Sequence, residues 1–110
     1  MPAESFISTK LNQPVKLRMS ESDLNKYSPI SIYTMFKKTV DTRPDHDALA
    51  FKSSPNAQWA KLSYLEYWRT THKAAKSFIK LGLECNECVS IVGFNSPQWF
   101  ISLLGSIFAG

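Results

Sequence analysis

Glycine is scarce in this chain, and the few glycines are scattered, at Gly82, Gly93, Gly105 and Gly110. A phosphate-binding loop needs several glycines close together, so that backbone amides can surround the phosphate. The sequence contains no such loop, and no serine, histidine and aspartate stand in the context of a nucleophile elbow. It therefore assigns no catalytic, cofactor-binding or metal-ligating residue. The carboxylates form no defensible cluster; they include Asp41, Asp45, Asp47, Glu66, Glu84 and Glu87.

Metal-ligating side chains are also few. The cysteines form a single pair, Cys85-Asn86-Glu87-Cys88, and the histidines are His46 and His72. A structural zinc site needs about four ligands, and neither histidine has ligand spacing to the pair. A thioredoxin-type pair begins a helix, whereas this pair follows a helix end. We predict two thiols in a connecting turn.

Long apolar runs and strong charge are absent. The longest apolar stretch, from Trp99 to Ala109, is shorter than the roughly 20 residues that span a bilayer. The N-terminus has no signal-peptide core, which indicates a cytoplasmic protein. The net charge is +4, and no basic cluster is interleaved with aromatic residues, so nucleic-acid binding is not predicted.

The residues that are present indicate a folded core, because the chain is 44% hydrophobic and 13% aromatic. Residues 1–28 form a mostly irregular N-terminal extension in which Val15 to Arg18 could be a short edge strand. Residues 29–110 form the domain proper. Its first helix is capped by Ser31 and ended by Pro44. The core-facing side of this helix is predicted to carry Ile32, Met35, Phe36 and Val40.

A hairpin and a second helix follow. Residues 48–52 and 59–63 are predicted to be two strands that pair as a hairpin, joined by the loop between them. Ser63 and Glu66 have capping-box spacing, and Gly82 ends the helix after Leu81. Tyr64, Trp68, Ala75 and Ile79 are predicted to line its core side, with His72 packed beside them. A basic row on another side is either a solvated face or a surface for anionic lipid or phosphate; it consists of Arg69, Lys73, Lys76 and Lys80.

The last segments resemble part of an α/β sheet domain. Val89 to Val92 is predicted to be a buried parallel strand. Asn95 or Ser96 caps a final helix with Pro97 in its first turn. That helix is apolar all round, so it is expected to lie inside a larger body. We therefore expect an incomplete α/β domain, the front of a longer protein or a truncated product.

Two stretches resemble the N-terminal region of the adenylate-forming acyl-CoA synthetases: "LSYLEYW" with "KAAKSFIKLGL", and "GFNSPQWF" with "GSIFAG". The chain is most similar to the bubblegum-type long-chain fatty acyl-CoA synthetases. Pieces such as "VKLRM" and "PISIYTMFKKTVDTRPDHDALAF" extend the resemblance to residues 15–110. The family's usual Gly-Asp turn is replaced by Asn86-Glu87, and Asn tolerates a positive φ at such a turn.

The resemblance implies an enzyme that uses ATP and Mg²⁺ to convert a fatty acid to an acyl-adenylate and then transfers the acyl group to CoA. It also implies that this chain is the incomplete N-terminal portion of the large AMP-binding domain, with a hairpin, helices and a first buried parallel strand. The family's catalytic motifs lie beyond Gly110. The fragment alone is thus expected to be inactive and to bind none of these cofactors. Its larger aromatic residues are expected to serve packing, namely Trp59, Trp68, Trp99 and Phe100.

Two alternatives remain at the level of the sequence. The chain could be a non-catalytic short isoform that binds a partner through its exposed last helix. It could also be a membrane-associated peptide, with its last helix in the interface and its basic row facing anionic lipid. Both differ from the leading hypothesis, in which the missing remainder of the synthetase chain covers the last helix and the fatty acid is the substrate of the whole enzyme. That enzyme could contact intracellular membranes peripherally.

Overall fold

The chain was analysed as a computed structural model that describes Asn12 and residues 29–110. The predicted strand from Val15 to Arg18 and nearly all of the predicted extension lie outside the described residues. Residues 31–110 form one unit containing three helices and a two-stranded sheet.

Helix α1, Ile32–Thr42, begins where the sequence predicts. The Ser31 hydroxyl accepts a hydrogen bond from the Thr34 amide at 3.1 Å. Phe36 and Val40 are buried, as predicted. The prediction is wrong for Ile32 and Met35, which are 45% and 54% exposed. The helix meets the core through one narrow side centred on Phe36 and Val40. Met35 lies about 120° around the helix from that side, and Ile32 is the first residue of the helix, one turn before Phe36.

The predicted hairpin is confirmed. Strands β1, Asp47–Phe51, and β2, Ala60–Ser63, pair antiparallel, each within one residue of its predicted limits. The register shifts between Asp47 and Leu49, which leaves Ala48 as an extra residue on β1. An ion pair between Lys61 and Asp47 joins the strands at this end.

Helix α2, Tyr64–Lys80, has the predicted capping box. The Ser63 hydroxyl accepts from the Glu66 amide at 3.2 Å, and Glu66 accepts from the Ser63 amide at 2.8 Å. Gly82 ends the helix with a φ of +100°. The buried side of α2 consists of Tyr67, Thr71 and Ala75.

The predicted core side of α2 is confirmed in part. Ala75 is buried, and Tyr64 and Trp68 pack against the core cluster. Ile79 is 55% exposed, because α2 extends past its last buried residue by more than a turn. The predicted packing of His72 is confirmed, since its ring lies 4.3 Å from that of Trp68.

The connection after α2 differs from the predicted strand. Residues 89–92 are assigned to no strand, and Val92 is 98% exposed, so its predicted burial is wrong here. A strand requires a hydrogen-bonding neighbour, and among residues 29–110 the only sheet is the hairpin. The predicted turn is confirmed upstream, where Asn86 has a φ of +67°.

Helix α3, Pro97–Ala109, is capped by Ser96, whose hydroxyl accepts from the Trp99 amide at 3.3 Å. It packs along α2, and these two helices share the most extensive contact in the unit. The Tyr67 hydroxyl donates to the Phe100 carbonyl across this contact at 3.3 Å. The core is formed by Phe36, Val40 and Tyr67, with apolar residues of α3 packed against them: Ile101, Leu104 and Phe108.

Candidate functional site

The described residues form a groove between the hairpin and the start of α3. We call it the hairpin groove, and its volume is about 500 Å³. Its floor and walls come from β1, from the residues that follow β1, and from the first turn of α3. The lining consists of Leu49, Ala50, Phe51, Lys52, Ser53, Trp59, Asn95, Ser96, Pro97, Gln98 and Phe100.

The hairpin contributes the groove's one cation and its largest ring. The Lys52 ammonium lies 5.3 Å from the centre of the Trp59 ring, within cation–π range. The same ammonium donates to the Pro55 carbonyl at 3.5 Å. Trp59 is 63% exposed, so its predicted packing role is wrong within this unit. An exposed indole beside an ammonium makes this edge amphipathic.

Helix α3 contributes few free backbone donors. The Trp99 amide donates to the Ser96 hydroxyl, and Pro97 has no amide proton. Phe100 is 38% exposed, although its carbonyl is bonded to Tyr67. The helix terminus therefore offers the groove mainly apolar surface.

The lining of the groove does not fit a nucleoside triphosphate. Proteins hold such groups with several cations, backbone amides and Mg²⁺, whereas the groove has Lys52 alone. Across residues 29–110, no three side chains of the His, Cys, Asp and Glu types come together as metal ligands. We therefore derive no chemical step from the described residues.

His72 belongs to an aromatic cluster and not to a catalytic arrangement. Its Nδ1 lies 2.9 Å from the Trp68 carbonyl oxygen, one turn earlier in α2. Its ring is 5.3 Å from Phe108 and 5.9 Å from Tyr33. These contacts hold α1, α2 and α3 together at one end of the core.

The basic row of α2 lies on the exposed side of the helix. All four of its side chains are exposed. The acidic residue of α2, Glu66, accepts through its carboxylate from the Ser63 amide at the capping box. That backbone hydrogen bond is the main reason that the pKa of Glu66 lies below its ordinary value of 4.5, with the Arg69 charge a smaller cause.

The cysteine pair lies in the predicted turn. Cys85 and Cys88 are free and exposed. The turn is closed by the Glu87 amide, which donates to the Glu84 carbonyl at 3.2 Å, and the Asn86 amide donates to the Gly110 carbonyl at 3.1 Å. The thiols thus lie in the connection between α2 and α3, as predicted.

The sequence predicted no site residue, and it did not reveal the hairpin groove. The groove depends on the hairpin and α3 lying side by side, which no local pattern encodes. The one signal available was Trp59, an aromatic residue directly after the polar loop "SSPNAQ".

Comparison with known proteins gives consistent matches. A family model described as "AMP-binding enzyme" matches residues 36–110. The chain is 45% identical over 109 residues to the long-chain-fatty-acid–CoA ligase ACSBG2 of Gallus gallus, which covers 99% of this chain and 14% of that protein. It is 48% identical over 96 residues to ACSBG2 of Xenopus laevis, across 87% of this chain and 13% of that protein.

A similar match is found to the long-chain-fatty-acid–CoA ligase ACSBG1 of Homo sapiens, 38% identical over 109 residues, 99% of this chain and 14% of that protein. The chain therefore spans only a small part of the length of these curated relatives. No solved structure matches the chain significantly. None of the helices within the described residues combines the length and apolarity needed to cross a bilayer.

Proposed function

The chain belongs to the AMP-binding enzyme family, and we infer from its relatives that it is part of a long-chain-fatty-acid–CoA ligase. The observation that carries this inference is the identity to such ligases over nearly the whole chain. The whole enzyme would use ATP to convert a fatty acid to an acyl-adenylate and would then transfer the acyl group to CoA. Mg²⁺ would accompany the ATP.

In this proposal residues 1–110 contribute structure to the enzyme, and catalysis belongs to residues outside them. Residues 1–28 form an extension, and residues 29–110 begin the AMP-binding domain. The chain matches 14% of the length of the Gallus gallus ligase, which supports this division. The chain by itself would bind no ATP and be inactive.

The unpaired connection before α3 has a defined place in the proposal. Val92 and Phe94 are 98% and 97% exposed, and residues 89–92 are β-branched or small. Such a segment becomes stable as a parallel strand when neighbouring strands cover it. We propose that the remainder of the synthetase supplies those strands and that α3 is the crossover helix between them.

The proposed enzyme acts in the cytoplasm, and its contact with intracellular membranes is peripheral. Long-chain fatty acids partition into bilayers because the burial of each methylene group stabilises the membrane-bound state by about 0.8 kcal/mol. The alternative of a non-catalytic interaction module is not favoured, since the relatives matched over the whole chain are ligases.

A chimera tests the proposal. This chain replaces the matching residues of the Gallus gallus ligase, to which it is 45% identical. We expect the chimera to form acyl-CoA from palmitate, ATP and CoA, and the chain alone to release no pyrophosphate. The inserted chain would complete the fold of the ligase, and the catalytic residues would come from the rest of the ligase.

The matched control is a second chimera that carries the equivalent segment of the Xenopus laevis ligase. An active control together with a folded but inactive test chimera would contradict the proposal. Pyrophosphate release by the purified chain alone would contradict the assignment of catalysis to other residues.

A further inference from the structure

We propose that the outer side of α2 is a contact surface for a bilayer containing anionic phospholipid. This surface, called here the basic face, consists of Arg69, Lys73, Lys76 and Lys80. The inference rests on the proposed function in one respect, because a ligase for long-chain fatty acids meets its substrate at membranes. Its physical basis is the placement of charge and apolar side chains on α2.

The basic face lies directly opposite the buried side of its helix. At about 100° per residue, its four cations fall within an arc of roughly 60°. Tyr67, Thr71 and Ala75, which are buried, lie half a turn away. The face therefore points away from the core of the unit along most of the helix.

The cations of this face have no ion-pair partners among the described residues. The two salt bridges found there involve cations elsewhere, Lys37 with Asp41 and Lys61 with Asp47. Glu66 is the acidic residue within α2, and its carboxylate accepts from the Ser63 amide. Positive charge is thus concentrated on the outer side of α2, complementary to anionic headgroups.

Apolar side chains adjoin the charged end of the face. Ile79 and Leu81 stand on either side of Lys80 in the chain and are 55% and 83% exposed. Surfaces that lie in the headgroup region combine cations with exposed aliphatic groups in this way.

A nucleic acid fits this surface less well. Proteins that bind single strands stack bases on aromatic side chains beside their cations. The aromatic residues of α2 face inward: Tyr67 is buried, and Trp68 packs against Phe36 and Phe108. The basic face therefore has charge and aliphatic groups but no stacking platform.

The test is sedimentation of the full chain, and of the chimera, with phosphatidylcholine vesicles with and without phosphatidylserine. We expect binding that requires phosphatidylserine and weakens as salt is raised. Replacing Lys73, Lys76 and Lys80 with Gln should lower partitioning on the order of 100-fold, at about fivefold for each cation. The control replaces three other exposed lysines with Gln: Lys37, Lys38 and Lys61.

The outcomes separate the explanations. If the control variant lost as much vesicle binding as the basic-face variant, net charge alone would explain the binding. That result would overturn the assignment of the surface. Absence of binding to phosphatidylserine vesicles, or full displacement by polyuridylate, would also overturn it. Replacing Ile79 and Leu81 with Gln should weaken the part of the binding that persists in high salt. Acyl-CoA formation by the chimera is measured without vesicles, so a failure of the proposed function is seen separately.

Discussion

Gly105 permits a close approach between α2 and α3. A Cβ atom at this position would lie 2.8 Å from the Ala74 Cβ and 3.4 Å from the Ala75 amide nitrogen. Real Cβ atoms do not approach another carbon so closely, and the Ala74 Cβ cannot rotate away because its position is fixed by the backbone. Space, and not backbone conformation, therefore determines the residue at this position.

Gly105→Ala is expected to destabilise the unit by about 1–3 kcal/mol, because the added methyl group forces the two helices apart. Urea unfolding followed by circular dichroism measures this change. Gly93→Ala is the matched control, since no atom lies within 4 Å of a Cβ placed there. Adding Ala74→Gly to Gly105→Ala should restore part of the loss, and an unchanged midpoint for Gly105→Ala would show that the contact is not this tight.

At the scale of elements, α2 depends on a carboxylate at its first turn. The folded-state pKa of Glu66 lies below its ordinary value of 4.5, chiefly because the carboxylate accepts from the Ser63 amide. Folding thus favours the ionised form. The resulting stabilisation is present above pH 4.5 and is lost as the pH falls through the lower folded-state pKa.

The unfolding temperature of Glu66→Gln is therefore expected to depend less on pH below neutrality than that of the natural sequence. Gln can still accept from the Ser63 amide, so the variant removes the proton-linked part and keeps the cap. Thermal unfolding at neutral pH and below pH 4.5 measures the difference. Asp41→Asn, which removes one exposed charge elsewhere, is the comparison; identical pH profiles for Glu66→Gln and the natural sequence would contradict the prediction.

Features encoded within a few residues could be predicted from the sequence. The caps at Ser31, Ser63 and Ser96 and the stop at Gly82 depend on side chains and backbone angles within one turn. The hairpin could also be predicted from the sequence, because its strands flank a loop of turn-forming residues. Each of these elements lies within one residue of its prediction.

Features that depend on distant neighbours could not be predicted. Thr71 is fully buried although it is polar, because it lies between Tyr67 and Ala75 on the side that meets α3. The exposure of Met35 follows from the angle at which α1 meets the core. Residues 89–92 have strand composition, but a strand forms only where a partner is present. The hairpin groove likewise required knowledge of which elements adjoin.

At the scale of the whole molecule, much of the apolar surface lies on the connection before α3 and on the outer side of α3 itself. Val92 and Phe94 are almost fully exposed, and smaller exposures continue at Phe100, Leu103 and Ile107. Exposed apolar side chains of this size favour association in water. In the proposed enzyme the same surface would be covered by the rest of the domain.

The purified chain is accordingly expected to self-associate. The double variant Val92→Thr with Phe94→Ser should raise the protein concentration at half-association by at least about tenfold. Burying side chains of this kind contributes roughly 1.5–3 kcal/mol each. Sedimentation velocity over a concentration series measures the midpoint. The control, Ile32→Thr with Met35→Gln, alters apolar residues that are only about half exposed. Equal effects of both pairs would show that association is not centred on Val92 and Phe94.

Ser63 has a mechanical consequence for any protein that contains this unit. It is the last residue of β2, it pairs with Asp47, and its side chain caps α2. The Tyr64 amide also donates to the His46 carbonyl at 3.0 Å. No residue lies between β2 and α2 to act as a hinge, so we expect the hairpin and α2 to move together. A displacement at the Trp59 end of the hairpin would then also move the Lys80 end of α2.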